Sequence, residues 1–284
     1  MMMKIAWIGT GVMGSEMARH LQAHGHMLQV FNRTLAKAEP LAQYGMIVCH
    51  SIAECVKDCD VVFTMVGDPS DVEAIYFGEG GIFQSAKANA YLIDMTTSSP
   101  TLAKKLSQNT NFHVLDAPVS GGDIGAKNGT LSVMCGGKKE DFEAMKTVFA
   151  CFADTMTYQG EAGSGQHCKA CNQIAIAGAI ASVAEALAYA KKMELDPLCV
   201  WEAISKGAAG SFQMTNNGKK MLEEDDWPGF YIKHFIKDMK IAMQELQQQN
   251  LYFPILNQVE QLYETLSQKG YDEKGTQAII DYYK

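Results

Sequence analysis

Gly163-Ser164-Gly165-Gln166-His167-Cys168-Lys169-Ala170-Cys171-Asn172-Gln173 divides this chain into two halves of different pattern. Before it, short apolar runs alternate with helical segments. After it almost everything has helical periodicity. The run from Gly163 to Glu194 is rich in Ala and Ile and lacks Pro. About 30 helical residues reach roughly 45 Å, long enough to leave one domain and core another. Lys169, Asn172 and Gln173 fall at i, i+3 and i+4, so one helix face presents a cation and two amides.

Working back from that stretch, strands are expected at Lys4-Ile8, Met27-Phe31, Met46-Cys49, Val61-Met65, Tyr91-Asp94 and His113-Asp116, then at Leu131-Cys135 and Thr155-Tyr158. Helical segments separate them at Met13-Ala23, Leu35-Tyr44 (disturbed at Pro40), Ser70-Tyr76, Pro100-Gln108 and Glu140-Phe149. Ser51 with Glu54 forms a capping-box pattern for a further short helix. This alternation predicts an α/β Rossmann-type doubly wound sheet over residues 1–162. Working forward, helices are expected at Ser164-Lys192, Leu198-Ser205, Met214-Met221, His234-Gln248, Pro254-Lys269 and Gly275-Tyr283. Residues 163–284 therefore read as an all-α C-terminal domain, joined to the first by a long interdomain helix.

The chain has 284 residues, 47% of them apolar and 20% charged, an ordinary globular composition with room for two cores. A net charge of −8 argues against nucleic-acid binding, which requires a basic face. The N-terminus runs from Met1-Met2-Met3-Lys4 straight into a strand and a Gly-rich turn, with no signal-peptide pattern. Eight cysteines without a framework pattern, in a chain this long, fit a reducing cytoplasm. The most apolar run, Ile174-Ala184, is about half of a bilayer-spanning length.

Gly9-Thr10-Gly11-Val12-Met13-Gly14 matches G-x-G-x-x-G, with a strand before it and a helix after it. The first glycine permits the tight turn, the second lets the backbone approach a pyrophosphate, and the third lets helix pack on strand. Gly-rich turns also serve as plain connections, but here the turn opens the first βαβ unit. After the second strand come Asn32-Arg33-Thr34 and no acid. A carboxylate there would hold a ribose 2′-hydroxyl, whereas a guanidinium pairs with a 2′-phosphate. The expected cofactor is NADP, with NAD possible. The plain alternative leaves Arg33 a solvated surface cation. Met65-Val66 and Thr96 end later strands, where ligands of such sheets bind. Thr96 to Ser99 would also serve simply to cap a helix at Pro100.

Ser120-Gly121-Gly122 places a hydroxyl beside approachable backbone N–H groups, which suits a carboxylate or a mere tight turn. Lys169 has small or apolar neighbours and lies about a turn and a half into its helix. A lysine there reaches a cleft, and partial burial would make it a better proton donor near neutral pH. Cys168 and Cys171 form a C-x-x-C without a second pair, so helix packing rather than zinc or redox chemistry is expected. No metal site is expected. Lys237 is either a surface cation or reaches a cofactor cleft. Phe230, Phe235 and Ile174 are candidate pocket residues.

Together these motifs resemble the β-hydroxyacid dehydrogenases, of which 3-hydroxyisobutyrate dehydrogenases are the best-known group. The resemblance spans the chain, from Gly9-Thr10-Gly11-Val12-Met13-Gly14 through Asp116-Ala117-Pro118-Val119-Ser120-Gly121-Gly122 and Gly129-Thr130-Leu131 to Gly163-Ser164-Gly165-Gln166, Lys169, Asn172-Gln173 and Lys237-Asp238. It implies that Lys169 is the catalytic lysine and that Ser120, Gly121 and Gly122 form the substrate carboxylate loop. It implies further that Asn172 orients the substrate, a role Gln173 could share because some members have an Asn at that place. Lys237 would lie near the nicotinamide end, and Met65 and Thr96 would touch the cofactor. Asn32-Arg33-Thr34 is similar to the NADPH-dependent glyoxylate and succinic semialdehyde reductases of the family.

The implied function is hydride transfer between NADP(H) and a small 3-hydroxy acid or semialdehyde carboxylate, with a homodimer or homotetramer as the assembly. A glyoxylate, succinic or tartronate semialdehyde reductase is the neighbouring reading. Imine reductases resemble this pattern but usually lack the lysine, and phosphogluconate-type decarboxylating enzymes have a much longer helical domain. A non-catalytic NADP-binding module would be expected to have lost Lys169.

Overall fold

The computed structural model describes residues 2–284. The chain separates into two compact units, Met1–Lys169 and Ala170–Lys284.

The first unit is built on a nine-stranded sheet. Its parallel part comprises β1 (Lys4–Ile8), β2 (Met27–Phe31), β3 (Ile47–Val48), β4 (Val61–Thr64), β5 (Tyr91–Asp94) and β6 (His113–Asp116). They lie in the order β3-β2-β1-β4-β5-β6, the doubly wound order that places a ligand crevice where the winding reverses between β1 and β4. The sheet is extended by β7 (Val119–Ser120), β8 (Leu131–Gly137) and β9 (Ala153–Gly160). β8 runs antiparallel to β6 and β7, and β9 runs parallel to β8. Both faces of the central strands are covered, so β4 is buried along its whole length, with three apolar residues before Thr64. Trp7 stacks on Phe63 at 5.1 Å, with Phe149 and Phe152 packed edge-on beside them.

Connecting helices are α1 (Val12–Ala23), α2 (Ile52–Val56), α3 (Pro69–Phe77), α4 (Ile82–Ser85), α5 (Pro100–Ser107), α6 (Gly122–Asn128) and α7 (Lys139–Phe149). Several expectations are corrected in detail. Leu35-Tyr44 is not an α-helix but two 3₁₀ segments, Leu35–Lys37 and Glu39–Tyr44. Pro40 at the start of the second cannot donate a backbone hydrogen bond. The capping box is half formed: Ser51 Oγ accepts the Glu54 N–H at 3.1 Å, but the Glu54 carboxylate accepts from His50 N at 2.7 Å. Ser120-Gly121-Gly122 is less a loop than a junction. Ser120 ends β7, Gly121 turns at φ +130°, and Gly122 begins α6.

The long helix α8 (Ser164–Lys192) runs 29 residues. Its length and a mean hydropathy of 1.5 over 18 residues are enough, by length and composition alone, to cross a membrane, though its most apolar run, Ile174-Ala184, is shorter. Its stripe Ala177, Ile180, Val183, Ala184 and Leu187 instead forms part of the second unit's core. That core is completed by α9 (Pro197–Ile204), α10 (Gly218–Leu222), α11 (Ile232–Gln248), α12 (Pro254–Gln268) and a closing 3₁₀ segment, Thr276–Tyr283. The helix expected over Met214-Met221 opens with a π-turn, Gln213–Asn217, before α10. Phe235 is fully buried against Tyr263 at 5.1 Å, so it is core rather than pocket; Phe230 packs on it at 5.7 Å, and Ile174 packs against the same core.

Candidate active site

In the first unit, the Gly9-Gly14 turn leaves β1 and enters α1. Gly9 has φ +99°, and a Cβ there would collide with the Met65 carbonyl. A Cβ on Gly14 would collide with the Gly9 carbonyl oxygen. That same oxygen accepts the Trp7 indole N–H at 3.0 Å, which ties the turn to the core. Gly11 differs: a Cβ there would meet nothing within 4 Å. The open space faces the N-terminus of α1, whose side chains provide no cap, so the end is suited to a diphosphate. Thr10 Oγ1, in the same turn, is buried and lacks a hydrogen-bond partner among the described residues. The turn therefore fits the group its spacing implies.

Thr10 N donates to Asn32 Oδ1 at 3.0 Å, and Asn32 Nδ2 donates to the Thr34 carbonyl at 3.0 Å. Asn32 thus fastens the loop after β2 to the loop after β1. Arg33 is neither a lone solvated cation nor an open fork: its Nη1 donates to Asp71 Oδ1 at 2.7 Å, while its side chain is 86% exposed. Asp71 sits in the first turn of α3, which Asp68 caps through Ser70 N and Asp71 N. Val12 is exposed and Met13 half-buried at the start of α1. Met65 packs against the core beneath Gly9.

Thr96 is buried, and its Oγ1 accepts the Val66 N–H at 3.0 Å. Asp94, at the end of β5, accepts from Thr64 Oγ1 at 2.9 Å and Thr96 N at 3.1 Å. Burial above all, with a smaller push from neighbouring Asp116, raises its carboxyl to about 6 against the lowering effect of those bonds. Asp116, at the end of β6, is likewise pushed up to about 6 by burial. It accepts Gly163 N at 2.8 Å and Gln166 N at 2.9 Å, satisfying two donors at the start of α8.

Lys169 follows on α8 and is 8% exposed. Its Nζ donates to the Val119 carbonyl at 2.9 Å, immediately before Ser120. The lysine and the Ser120-Gly121-Gly122 segment, separated by some fifty residues in sequence, are therefore neighbours. A Cβ on Gly165 would collide with the Asp116 carbonyl oxygen and with that of Met134, so only glycine lets the first turn of α8 seat against the sheet.

In the second unit, Asn172 Nδ2 donates to Gln173 Oε1 at 2.7 Å, and Gln173 Nε2 donates to Asp238 Oδ2 at 2.8 Å. Lys237 Nζ pairs with Asp238 Oδ1 at 3.0 Å. Gln173 is 1% exposed with both ends of its amide engaged by protein groups, whereas Asn172 is half-buried. Asp238 is the hub of this cluster; the sequence reading quoted it in the Lys237-Asp238 motif but gave it no role of its own. Its signal was present: residue 238 lies on the apolar stripe of α11 with Ile232, Phe235 and Met239, where a carboxylate needs partners. Asp116 and Gln166 were likewise quoted within motifs without a role, and Asp94 only as a strand end, although an Asp closing a buried strand twice is a comparable sign.

The cysteines are free thiols, five of them buried, with Cys168 half-buried and Cys171 exposed. Among the described residues, no three His, Cys, Asp or Glu side chains are grouped to hold a metal.

Residues 4–160 match the NAD-binding domain of 6-phosphogluconate dehydrogenase, and residues 163–283 match the NAD-binding domain of NADP-dependent 3-hydroxyisobutyrate dehydrogenase. An uncharacterized oxidoreductase of Bacillus subtilis, YkwC, is 50% identical over 97% of this chain and 96% of its own length. The 2-hydroxy-3-oxopropionate reductase of Escherichia coli is 35% identical over 98% and 96%. The 3-hydroxyisobutyrate dehydrogenase of Mycobacterium tuberculosis, solved with L-serine, superposes with a TM-score of 0.91 over 99% of both chains at 27% identity. The glycine turn, the doubly wound order and the helical second unit thus sit in a chain matched along nearly its whole length, and it belongs to the 3-hydroxyisobutyrate dehydrogenase family as an NAD(P)-dependent hydroxyacid dehydrogenase.

Proposed function

We propose that the protein interconverts a small carboxylate-bearing semialdehyde and its 3-hydroxy acid, with NADP(H) preferred over NAD(H) and Lys169 as general acid and base. The observation that carries this reading is Lys169 itself, buried to 8% exposure and bonded to the Val119 carbonyl beside Ser120. The contact places a lysine amine, a group able to give and take a proton, one residue from the hydroxyl of Ser120.

In this reading Gly9, Thr10, Gly11, Val12, Met13 and Gly14 hold the diphosphate, Asn32, Arg33 and Thr34 the adenosine ribose end, and Met65, Val66 and Thr96 the nicotinamide end. The cofactor, when bound, supplies or accepts the hydride. Ser120 Oγ and the N–H groups of Gly121 and Gly122 bind the substrate carboxylate. Lys169 Nζ gives a proton to the developing alkoxide and takes one from the hydroxyl in the reverse direction. The Asn172 amide orients the substrate, with Gln173 holding that amide rather than sharing its role. Lys237 acts through Asp238. The NADP preference is supported by Arg33 and by the lack of an acid after β2.

3-Hydroxyisobutyrate, or methylmalonate semialdehyde in the other direction, is the leading substrate; tartronate semialdehyde is the second, suggested by the Escherichia coli relative. A cytoplasmic homodimer or homotetramer is proposed as the working form, supported by the exposed Trp227, Tyr252 and Ile255 of the helical unit. Light scattering checks the assembly. The deciding experiment measures turnover on glyoxylate and on succinic, methylmalonate and tartronate semialdehydes with NADPH and NADH, for the wild type and Lys169→Ala. General acid catalysis is worth about 10²–10⁴-fold, so the variant loses about that much turnover while binding NADPH as before. Retained turnover, or cofactor affinity lost in step with it, refutes the assignment.

A further inference from the structure

Gln166 is 1% exposed, and both ends of its amide are used. Its Nε2 donates to the Thr96 carbonyl at 2.7 Å, and its Oε1 accepts the Ser98 N–H at 2.9 Å. Its own backbone N–H is held by Asp116. One side chain thus staples the segment after β5 to the first turn of α8. Thr96, in turn, holds the Val66 N–H after β4. Lys169 follows Gln166 by three residues on α8, on the same stripe of the helix. In a doubly wound sheet the segments leaving β4 and β5 border the cofactor. The Gln166 amide therefore joins two things that must be held at a set separation: the backbone beside the reacting ring and the helix bearing the proton donor.

We infer that Gln166 is a positioning residue for the dehydrogenase reaction, fixing Lys169 relative to the Thr96–Ser98 segment. The inference rests on the reading of Lys169 as general acid and base. Gln166 touches no reacting atom; it acts through the backbone it ties. Alternatives at the position are restricted because the site requires a donor toward a carbonyl and an acceptor toward an N–H within one planar group. A carboxylate offers no donor, and a thioether offers neither.

The test compares Gln166→Met, of similar volume with no amide, with Gln166→Glu, which retains only the acceptor, and with Lys169→Met in parallel. Four quantities are read: kcat, NADPH affinity by fluorescence titration, the kinetic isotope effect with deuterated NADPH, and amide exchange at Ser98 in the unliganded protein. A displacement of about 1 Å costs about 10²-fold in rate, so Gln166→Met lowers kcat by about 10- to 100-fold. NADPH affinity stays within about 3-fold, the isotope effect rises as the chemical step becomes more limiting, and Ser98 exchanges faster. Gln166→Glu falls in the same direction. A kcat within about 2-fold of wild type overturns the inference, as does a joint loss of kcat and affinity with an unchanged isotope effect, which marks a purely structural role. If Gln166→Met does not fold, Gln166→Glu decides on the same readouts. Turnover retained by Lys169→Met removes the proton donor and the inference with it; turnover lost there but kept in the Gln166 variants removes the inference alone.

Discussion

Lys169 Nζ donates to the carbonyl oxygen of Val119 at 2.9 Å, across fifty residues of sequence. The contact joins the first turns of α8 to β7 and puts the ammonium one residue from the hydroxyl and paired glycines of Ser120-Gly121-Gly122. Lys169→Arg tests whether charge or proton transfer matters. Arginine preserves a cation and a donor but does not deprotonate near neutral pH. On the proposed role of Lys169, the expected result is a folded protein that loses turnover by about the 10²–10⁴-fold of a missing general acid, measured as kcat on the best substrate of the panel.

Gly11 and Gly14 should respond oppositely to alanine. At Gly11 the backbone is extended, φ −71°, and a Cβ meets open space, so Gly11→Ala folds with an unchanged melting temperature. The added methyl occupies the space a diphosphate needs, and cofactor affinity falls by about tenfold or more. Gly14→Ala meets the Gly9 carbonyl and is destabilised by about 1–3 kcal/mol, as overpacking generally is. Thermal unfolding beside cofactor titration separates the two effects.

Asp71 shares the guanidinium to which the proposed NADP preference is assigned. A 2′-phosphate approaching Arg33 would come close to a carboxylate, and that repulsion opposes binding. Asp71→Asn should therefore lower the KM for NADPH a few-fold and leave that for NADH nearly unchanged. Arg33→Ala should raise the KM for NADPH by about tenfold, the scale of one charge-assisted contact. Because the Arg33 side chain is 86% exposed, both effects should shrink with added salt.

Asp94 makes stability depend on pH. Its carboxyl titrates at about 6 in the folded protein, mainly because it is buried, and at about 4 in an unfolded chain. Between these values the folded state retains a proton that the unfolded state has released. Its contribution is thus most favourable below about pH 4, and it is lost as pH rises through 6. Asp94→Asn keeps an oxygen able to accept from Thr64 and Thr96 and removes the charge. The variant should lack on the order of 2–3 kcal/mol of the decline in stability between pH 4 and 6, seen by denaturant unfolding at each pH.

Asp238 should matter to both stability and substrate affinity. Asp238→Ala leaves the Gln173 amide without its acceptor and Lys237 without its counter-ion. Loss of a hydrogen bond to a buried carboxylate costs about 1.5–3 kcal/mol. On the proposed role of Asn172, whose amide donates to Gln173, the substrate KM should rise while NADPH affinity stays constant. A variant that loses stability but retains its substrate KM would separate Asp238 from the substrate site.

The architecture was legible because it is local. Period-2 and period-3.6 apolar patterns follow from backbone geometry, and strands such as Tyr91–Asp94 and His113–Asp116 fell where their apolar runs lay. Misread stretches were those where a neighbour decides the conformation. Val119–Ser120 is a strand only because β8 pairs with it, and Gln213–Asn217 winds as a π-turn despite a helical pattern.

By itself, the sequence determined the alternating first unit, the glycine turn, the long lysine-bearing helix and the candidate chemistry of each motif, since all of these are read within a few consecutive residues. Only tertiary structure decided what each polar group holds: Val119 for Lys169, Asp238 for Gln173, Thr96 and Ser98 for Gln166, and Asp71 for Arg33. Those partners lie 38 to 70 residues apart along the chain. A hydrogen bond acts over about 3 Å of space regardless of how much chain intervenes, so no local period could have announced them.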